Sequence, residues 1–299
     1  MFHGILPVWK PKGCTSHDVV GKIRRWFGQK RVGHTGTLDP EVEGVLPICL
    51  GQATRLVEYI QSLPKTYYGT MKLGIATDTE DQTGQTIAQQ KVEELDYQQV
   101  LKVFAKFTGI IEQIPPMYSA IKIDGKPLYT LARAGKQIQR KARKIELYQF
   151  DLLDLRRDAY PEIDFRVTCS KGTYIRTLCV DVGKSLGVPA HMKSLLREKS
   201  GPFHLKDCLT FDELEQTVKT DHLDEYIVPL DEVLGNLPCI LIPESEMKHV
   251  YDGWEILIED YSGKSPLVRV YSETGEFAAI YRLDEFGMAR AEKVFRDVN

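Results

Sequence analysis

In the segment RVGHTGTLDPEVEGVLP, residues 31–47, an aspartate, Asp39, sits between a Gly/Thr/His-rich turn and a proline. Gly33, Gly36 and Gly44 permit a tightly turned backbone. Thr35 and Thr37 can make local side-chain bonds. Pro40 pushes Asp39 toward an extended conformation, so its carboxylate would be presented at a defined angle. A lone carboxylate suits covalent or electrostatic catalysis, acting as a nucleophile toward an electron-poor carbon. In a closed pocket desolvation raises its pKa, and a fixed cation is needed to keep it charged. Arginine serves best, because it holds its charge and binds carboxylate through two N–H groups. KGTYIRT, residues 171–177, offers Arg176, with Tyr174 two residues before it. Spacing alone does not bring Arg176 to Asp39. An isolated Asp-Pro ordinarily serves as a local turn whose carboxylate accepts backbone amides.

Other chemistries lack their residues. The glycines before Asp39 are followed by Thr37-Leu38, not the Lys-Ser/Thr of a phosphate loop. LGIATDTEDQTG has carboxylates near a glycine, but not at calcium-loop spacing. The seven histidines form no H-x-x-x-H pair, which argues against a metal hydrolase. Cys14, Cys49, Cys169, Cys179, Cys208 and Cys239 are scattered without a C-x-x-C pair, so reduced structural thiols are expected.

The net charge of −3 conceals an uneven distribution. From Asp207 to Asp260 there are 15 acids and two bases, which leaves 37 bases and 27 acids elsewhere. Two acid-free clusters stand out, GKIRRWFGQKR at 21–31 and RAGKQIQRKARK at 133–144. With Trp26, Phe27, Tyr129 and Tyr148 nearby, they point to a polyanionic partner. Each could also be a solvated helix face or hairpin edge. No run of 18 or more apolar residues occurs, and MFHGILPVWKPKG lacks the layout of a signal peptide. A cytoplasmic protein is expected.

The elements that must carry these residues read as follows. GILPVWKP is a strand. Ser16 is the expected N-cap of a helix over 17–27, with Gly28 as its stop. GVLPICLG is a short buried strand, ATRLVEYIQ a helix, and TYYGTMKLGIAT a strand followed by a polar loop, DTEDQTGQ. Asp96 caps a helix over 97–107. A strand at 119–123 leads into an Asp124-Gly125 turn, and a short helix then runs from Pro127 to Gly135. RKIELYQFDLLDL and EIDFRVTCS pair as strands, a helix runs from Thr173 to Gly187, and residues 189–203 return as a strand. This order lacks regular β-α-β alternation. It predicts an α+β fold with a mixed, largely antiparallel sheet flanked by helices. After a boundary near DEVLGNLPCILIPE, WEILIED, PLVRVYSE and EFAAIYRLD are short strands, with turn signals at Ser262-Gly263 and Thr274-Gly275. The expected domains are 1–235 and a small all-β module at 236–299.

GHTGTLDPEVEGVLPICLGQATRL resembles the signature segment of the bacterial tRNA pseudouridine synthases of the TruB type. KTYYGTMKLGIATDTEDQTG, IPPMYSAIKIDGKPLYTLARAG and CSKGTYIRTLCVDVGKSLG resemble further blocks of that family in the same order. The terminal segment resembles the small RNA-binding PUA domain that many members carry. The resemblance implies an isomerase that converts uridine 55 in the T arm of tRNA to pseudouridine, with no redox cofactor, ATP or metal. The substrate base is flipped out of its stack, the N-glycosidic bond breaks, the base turns, and C5 joins the ribose. No obligatory protein partner is implied, and a monomer is expected. The alternative is a tRNA-binding or tRNA-folding protein with incidental or no catalysis.

By motif, Asp39 corresponds to the nucleophile and Arg176 to the arginine that pairs with it. Tyr67 corresponds to the tyrosine that stacks on the target base, while Tyr68 is expected to face the core. Tyr174 would line the pocket, and His34 would contact RNA near the site vacated by the base. A pocket leucine falls at Leu195 or Leu196. The basic clusters supply candidates for the RNA backbone: Lys22, Arg24, Arg25, Lys30 and Arg31 from the first, and Arg133, Arg140, Lys141 and Arg143 from the second. The acidic stretch from Asp207 onward should face away from RNA.

Overall fold

The structure is a computed structural model, and it describes residues 1–119, 121–123, 125–136, 138–220, 222–258, 261 and 265–296. Asp124, Ser262 and Gly263, from two of the expected turns, lie outside the described residues, as does the side chain of Arg133.

The chain begins with β1 (Gly4–Lys10), α1 (Ser16–Trp26), β2 (Val32–His34), β3 (Glu43–Leu50) and α2 (Val57–Ser62). Next come β4 (Lys65–Leu73), β5 (Ile75–Thr77), β6 (Thr86–Gln89), α3 (Tyr97–Phe107), β7 (Gly109–Gln113), β8 (Lys122–Ile123), β9 (Lys126–Pro127) and α4 (Leu128–Arg133). β10 (Arg143–Arg156), β11 (Glu162–Cys169), α5 (Ile175–Leu186), β12 (Ala190–Ser200), β13 (Phe203–His204) and α6 (Phe211–Thr220) complete the larger unit. Its nine-stranded sheet runs β1-β3-β12-β4-β11-β10-β7, with β2 on β3 and β13 on β12. All its pairings are antiparallel except the short β12–β3 contact. The sheet is therefore mixed and largely antiparallel, as the order of elements predicts.

Two cores position the site. α3 and α5 cover one face of the sheet, where Phe104, Phe165, Val167, Leu178 and Val182 are buried with Leu38 and Val42 of the Asp39 loop. α1 packs Val19, Val20 and Ile23 against Leu6, Val8, Leu46 and Ile48. β3 is buried on both faces, which explains its unbroken apolar sequence. The opposite face of β4 and β11 is polar. There Thr70 donates to Asp164 at 2.7 Å, and Arg156 bridges Asp164 and Glu162. Tyr68 lies on this face and hydrogen-bonds Asp164. It does not face the core as expected, because strand alternation puts it opposite Tyr67.

The N-cap of α1 differs from expectation by one residue. Thr15 accepts from the Asp18 N–H, and the Asp18 carboxylate accepts from the Thr15 N–H, closing a capping box. Ser16 is buried as the first helical residue.

The C-terminal sheet comprises β14 (Cys239–Ile242), β15 (Ile256–Leu257), β16 (Leu267–Ser272), β17 (Phe277–Leu283) and β18 (Met288–Val294), in the order β14-β16-β17-β18-β15. A short helix, α7 (Met247–Tyr251), accompanies it. The two sheets share a core: Phe277, Ile280 and Phe295 are buried with Ile5, Val45, Cys49, Leu56 and Ile60. Tyr59 adds a hydrogen bond to Glu292 at 2.7 Å, and Lys293 an ion pair with Glu58 at 2.9 Å.

Candidate active site

Asp39 lies on the loop between β2 and β3, and two of the three glycines read from the sequence require their freedom. Gly36 has φ 145° and Gly44 φ 114°. A Cβ at Gly44 would come within 2.3 Å of the Arg197 carbonyl oxygen, so only glycine permits β12 to approach β3 here. Backbone groups of the loop are tied down on several sides. The Lys10 ammonium, 0 % exposed, donates to the carbonyls of Pro11, Pro40 and Val42 at 2.8, 3.1 and 2.7 Å. Arg197 donates from Nε to the Val45 carbonyl at 2.6 Å and from Nη2 to that of Gly36 at 3.3 Å. The sequence reading missed both cations. A lysine beside Pro11 and an arginine late in β12 carry no local sign that they hold the same loop.

Arg176 meets Asp39. It sits in the first turn of α5, and Tyr174 is the N-cap residue. Gln113 orients that entry: its side-chain amide accepts from the Tyr174 N–H at 2.8 Å and donates to the Tyr174 carbonyl at 3.0 Å. The guanidinium then binds Asp39 through two nitrogens, with Nε 2.9 Å from Oδ2 and Nη2 3.3 Å from Oδ1. Its remaining donors reach the carbonyls of Thr79 and Tyr118 at 3.2 and 2.8 Å, and Asp81 lies 3.8 Å away. The polar loop after β5 therefore braces Arg176 from behind. Burial pushes the Asp39 carboxyl above its ordinary value, Arg176 opposes that, and Asp81 adds to the rise. The Asp39 side chain keeps 39 % exposure, on the side open to the cleft.

The cleft has a volume of about 580 Å³. Tyr67, Tyr174 and Leu195 line it with Asp39 and Arg176, whereas Leu196 does not. The Leu195↔Gly69 pairing of β12 with β4 decides this register. Tyr67 hydrogen-bonds Arg197, and burial raises the pKa of its hydroxyl against the pull of that cation. Burial likewise raises Tyr174. His34 is not in the cleft wall. Its Nδ1 accepts from the Gly36 N–H at 3.2 Å, and burial followed by Arg197 lowers its pKa.

Cations dominate the wall. Lys65, Arg143, Lys144, Lys171, Arg176 and Arg197 line it, and Asp39 is the one carboxylate among the lining residues. Lys65, missed in the sequence, donates to the carbonyls of Gln61 and Leu63 at 2.5 and 2.6 Å. Its pKa is pushed down to about 8 by burial and then by Arg197. Of the backbone candidates whose side chains are described, only Arg143 lines the cleft. Lys22 is turned onto the Phe211 ring at 4.1 Å, Arg24 donates to the Val32 carbonyl, and Arg140 to that of Pro115. Arg25, Lys30, Arg31 and Lys141 are exposed outside the cleft. Among the described residues no helix is long and apolar enough to cross a membrane. A cationic cleft with one arginine-bound carboxylate can hold a polyanion and present a nucleophile to it.

Comparison with known proteins identifies the family. The family profile "TruB family pseudouridylate synthase (N terminal domain)" matches residues 24–175, and "tRNA pseudouridylate synthase B C-terminal domain" matches 176–235. The chain is 45% identical over 281 residues to tRNA pseudouridine synthase B of Oceanobacillus iheyensis, covering 94% of this chain and 92% of the relative. It is 49% identical over 254 residues to that of Geobacillus thermodenitrificans, covering 84% of each. Among solved structures, a chain of an H/ACA RNP bound to a substrate RNA containing 2'-deoxyuridine is similar, with TM-score 0.75 and 27% identity. That match covers 99% of this chain and 86% of the other. A chain of a Cbf5-Nop10-Gar1 complex matches with TM-score 0.73 and 28% identity, over 99% of this chain and 86% of the other. The chain belongs to the TruB family of tRNA pseudouridine synthases.

Proposed function

We propose that this enzyme isomerises uridine 55 in the T arm of tRNA, with Asp39 as the nucleophile. The observation that carries this reading is the two-nitrogen grip of Arg176 on Asp39 inside a cationic cleft. A stacked uridine is out of reach of such a carboxylate, so it must be flipped out at a cost of a few kcal/mol. Stacking on Tyr67 would return about 1–3 kcal/mol. Asp39 then attacks an electron-poor carbon of the bound nucleoside, and the glycosidic C–N bond breaks. The freed base turns, C5 bonds to the ribose, and the bond to Asp39 breaks, which releases the carboxylate unchanged. C5 loses one proton and N1 gains one, so the product is an isomer of the substrate. Tyr67 would assist at C5, and Tyr174 and Leu195 would close the pocket around the base.

Lys65, Arg143, Lys144 and Lys171 would hold phosphates of the arm, giving affinity that falls as salt rises. For residues 236–299 we propose a PUA-like RNA-contacting module. Trp254 at 58% and Phe286 at 81% exposure offer it aromatic faces for unpaired bases. We also propose that the enzyme works in the cytoplasm as a single chain.

The experiment is to incubate unmodified tRNA transcript with the protein in excess EDTA, digest it to nucleosides and chromatograph them. Pseudouridine from wild type but not from Asp39→Asn, mapped to the T arm, is the expected result. Tight tRNA binding without product would replace this reading with that of a tRNA-binding or folding protein.

A further inference from the structure

The direction in which Asp39 points is set by its backbone, and the residue before it is held by an unexpected group. Ser16 is 1 % exposed. Its Oγ accepts from the Leu38 N–H at 2.9 Å and donates to the Leu38 carbonyl oxygen at 3.3 Å. One hydroxyl thus uses its proton and a lone pair on both backbone groups of one residue. On the far side of Asp39, the Gly13 N–H donates to the Pro40 carbonyl at 3.0 Å. The residues flanking Asp39, Leu38 and Pro40, are therefore both held at their backbones by one segment, residues 13–16.

Ser16 does not cap its own helix, because Thr15 and Asp18 do that. Its hydroxyl is left for the loop. Leu38 is 3% exposed and is packed into the core with Val42 and Ile175, so its side chain resists the same movement that Ser16 resists at its backbone.

We propose that Ser16 is a positioning residue for the reaction: it pins Leu38 and so fixes the angle at which Asp39 presents its carboxylate to the nucleoside. This rests on the reading of Asp39 as nucleophile. Without the hydroxyl, the Leu38 N–H is left buried and unpaired, and the loop relaxes to find a partner. A displacement of about 1 Å at a reacting group costs on the order of 10²-fold in rate.

The test uses the full chain and four variants: Ser16→Ala, Ser16→Thr, Thr15→Ala and Asp39→Asn. Single-turnover pseudouridine formation is measured at saturating unmodified tRNA, with tRNA Kd from filter binding and a melting temperature for each. Ser16→Ala is expected to slow the reaction by about 10- to 100-fold while Kd stays within about twofold. Ser16→Thr keeps the hydroxyl and should recover most of the rate. Thr15→Ala removes the cap of the same helix, and should lower the melting temperature but keep the wild-type rate. The proposal fails if Ser16→Ala turns over like wild type, or if the two alanine variants slow the reaction equally. An active Asp39→Asn would sink the nucleophile reading instead, whereas an inactive Asp39→Asn beside a fast Ser16→Ala sinks only the positioning role. Should Ser16→Ala not fold, hydrogen exchange on wild type decides. The Leu38 amide is expected to be protected like the interior of α1, and exchange as fast as that of exposed Thr37 would overturn the proposal.

Discussion

Two arginine–aspartate pairs lie on opposite faces of the central sheet, and their acids are shifted in opposite directions. Arg176 holds Asp39 at 2.9 Å in the cleft, and Arg156 holds Asp164 at 2.5 Å on the polar face. The Asp164 carboxyl is brought down to about 2, first by the hydrogen bonds of Arg156, against burial, with help from Thr70 and Tyr68. The Asp39 carboxyl is pushed up, first by burial, although Arg176 opposes it. The side chain of Arg156 is 46% exposed and that of Arg176 only 7%. Arg176 also divides its donors among Asp39, Thr79 and Tyr118, and it has Asp81 close by. The type of partner is the same in both pairs, so the setting decides the direction. A carboxylate that hydrogen bonds satisfy is stable and inert, whereas one held against desolvation is available for reaction.

The contrast breaks most sharply at the acids themselves. Asp39→Asn should reduce pseudouridine formation by at least about 10³-fold in a single-turnover assay. Asp164→Asn should leave the same rate within about twofold, and an equal loss in both would remove the distinction between the faces.

The arginines come next. Arg176→Lys gives up the two-nitrogen contact and should cost about 10- to 100-fold in rate. On the proposed mechanism Asp39 attacks in its ionised form, so the wild-type rate should fall with decreasing pH at a value above the ordinary 3.8. Because Arg176 is what holds the carboxyl down, weakening its grip should move that acid limb to still higher pH. Arg156→Lys should leave the pH–rate profile where it is, and a wild-type plateau extending below pH 4 would contradict the shift assigned to Asp39.

Stability separates the pairs in the opposite sense. Asp164 has a folded pKa near 2, below its ordinary 3.8, so its contribution is present above about pH 4 and lost as pH falls through 2. Asp164→Asn should cost about 1 kcal/mol at neutral pH, after allowance for the solvent around Arg156. Urea melts should show that difference shrinking toward pH 2. Asp39, raised when folded, works the other way, and its ionised form is the one disfavoured by folding. The smallest effect is expected at Tyr68→Phe, within about 0.5 kcal/mol by the same melts and with an unchanged rate.

Several elements were legible from local pattern. The alternation of β4, the unbroken apolar run of β3 and the glycine stop of α5 were sufficient to place those elements. Thr15 and Ser16 are both good caps by type, and only the contact with Leu38 assigns Ser16 to the loop. Leu195 and Leu196 are alike until a register with β4 places one of them in the cleft. The acid-free run at 21–31 looked free for RNA. In the fold, Phe211 and the Val32 carbonyl take up Lys22 and Arg24. Arg197 and Lys65, which line the cleft, lay outside any cluster the sequence displayed.

By itself the sequence determined the order of elements and, through its motif blocks, the family. These depend on neighbours along the chain, where dihedral preferences, caps and alternation act. Only the tertiary structure decided that Arg176 meets Asp39 across 137 residues, that Asp81 and Thr79 stand behind it, and that burial outweighs the arginine. The reason is that desolvation and Coulomb attraction depend on distance through space and on the surrounding medium, and spacing along the chain records neither.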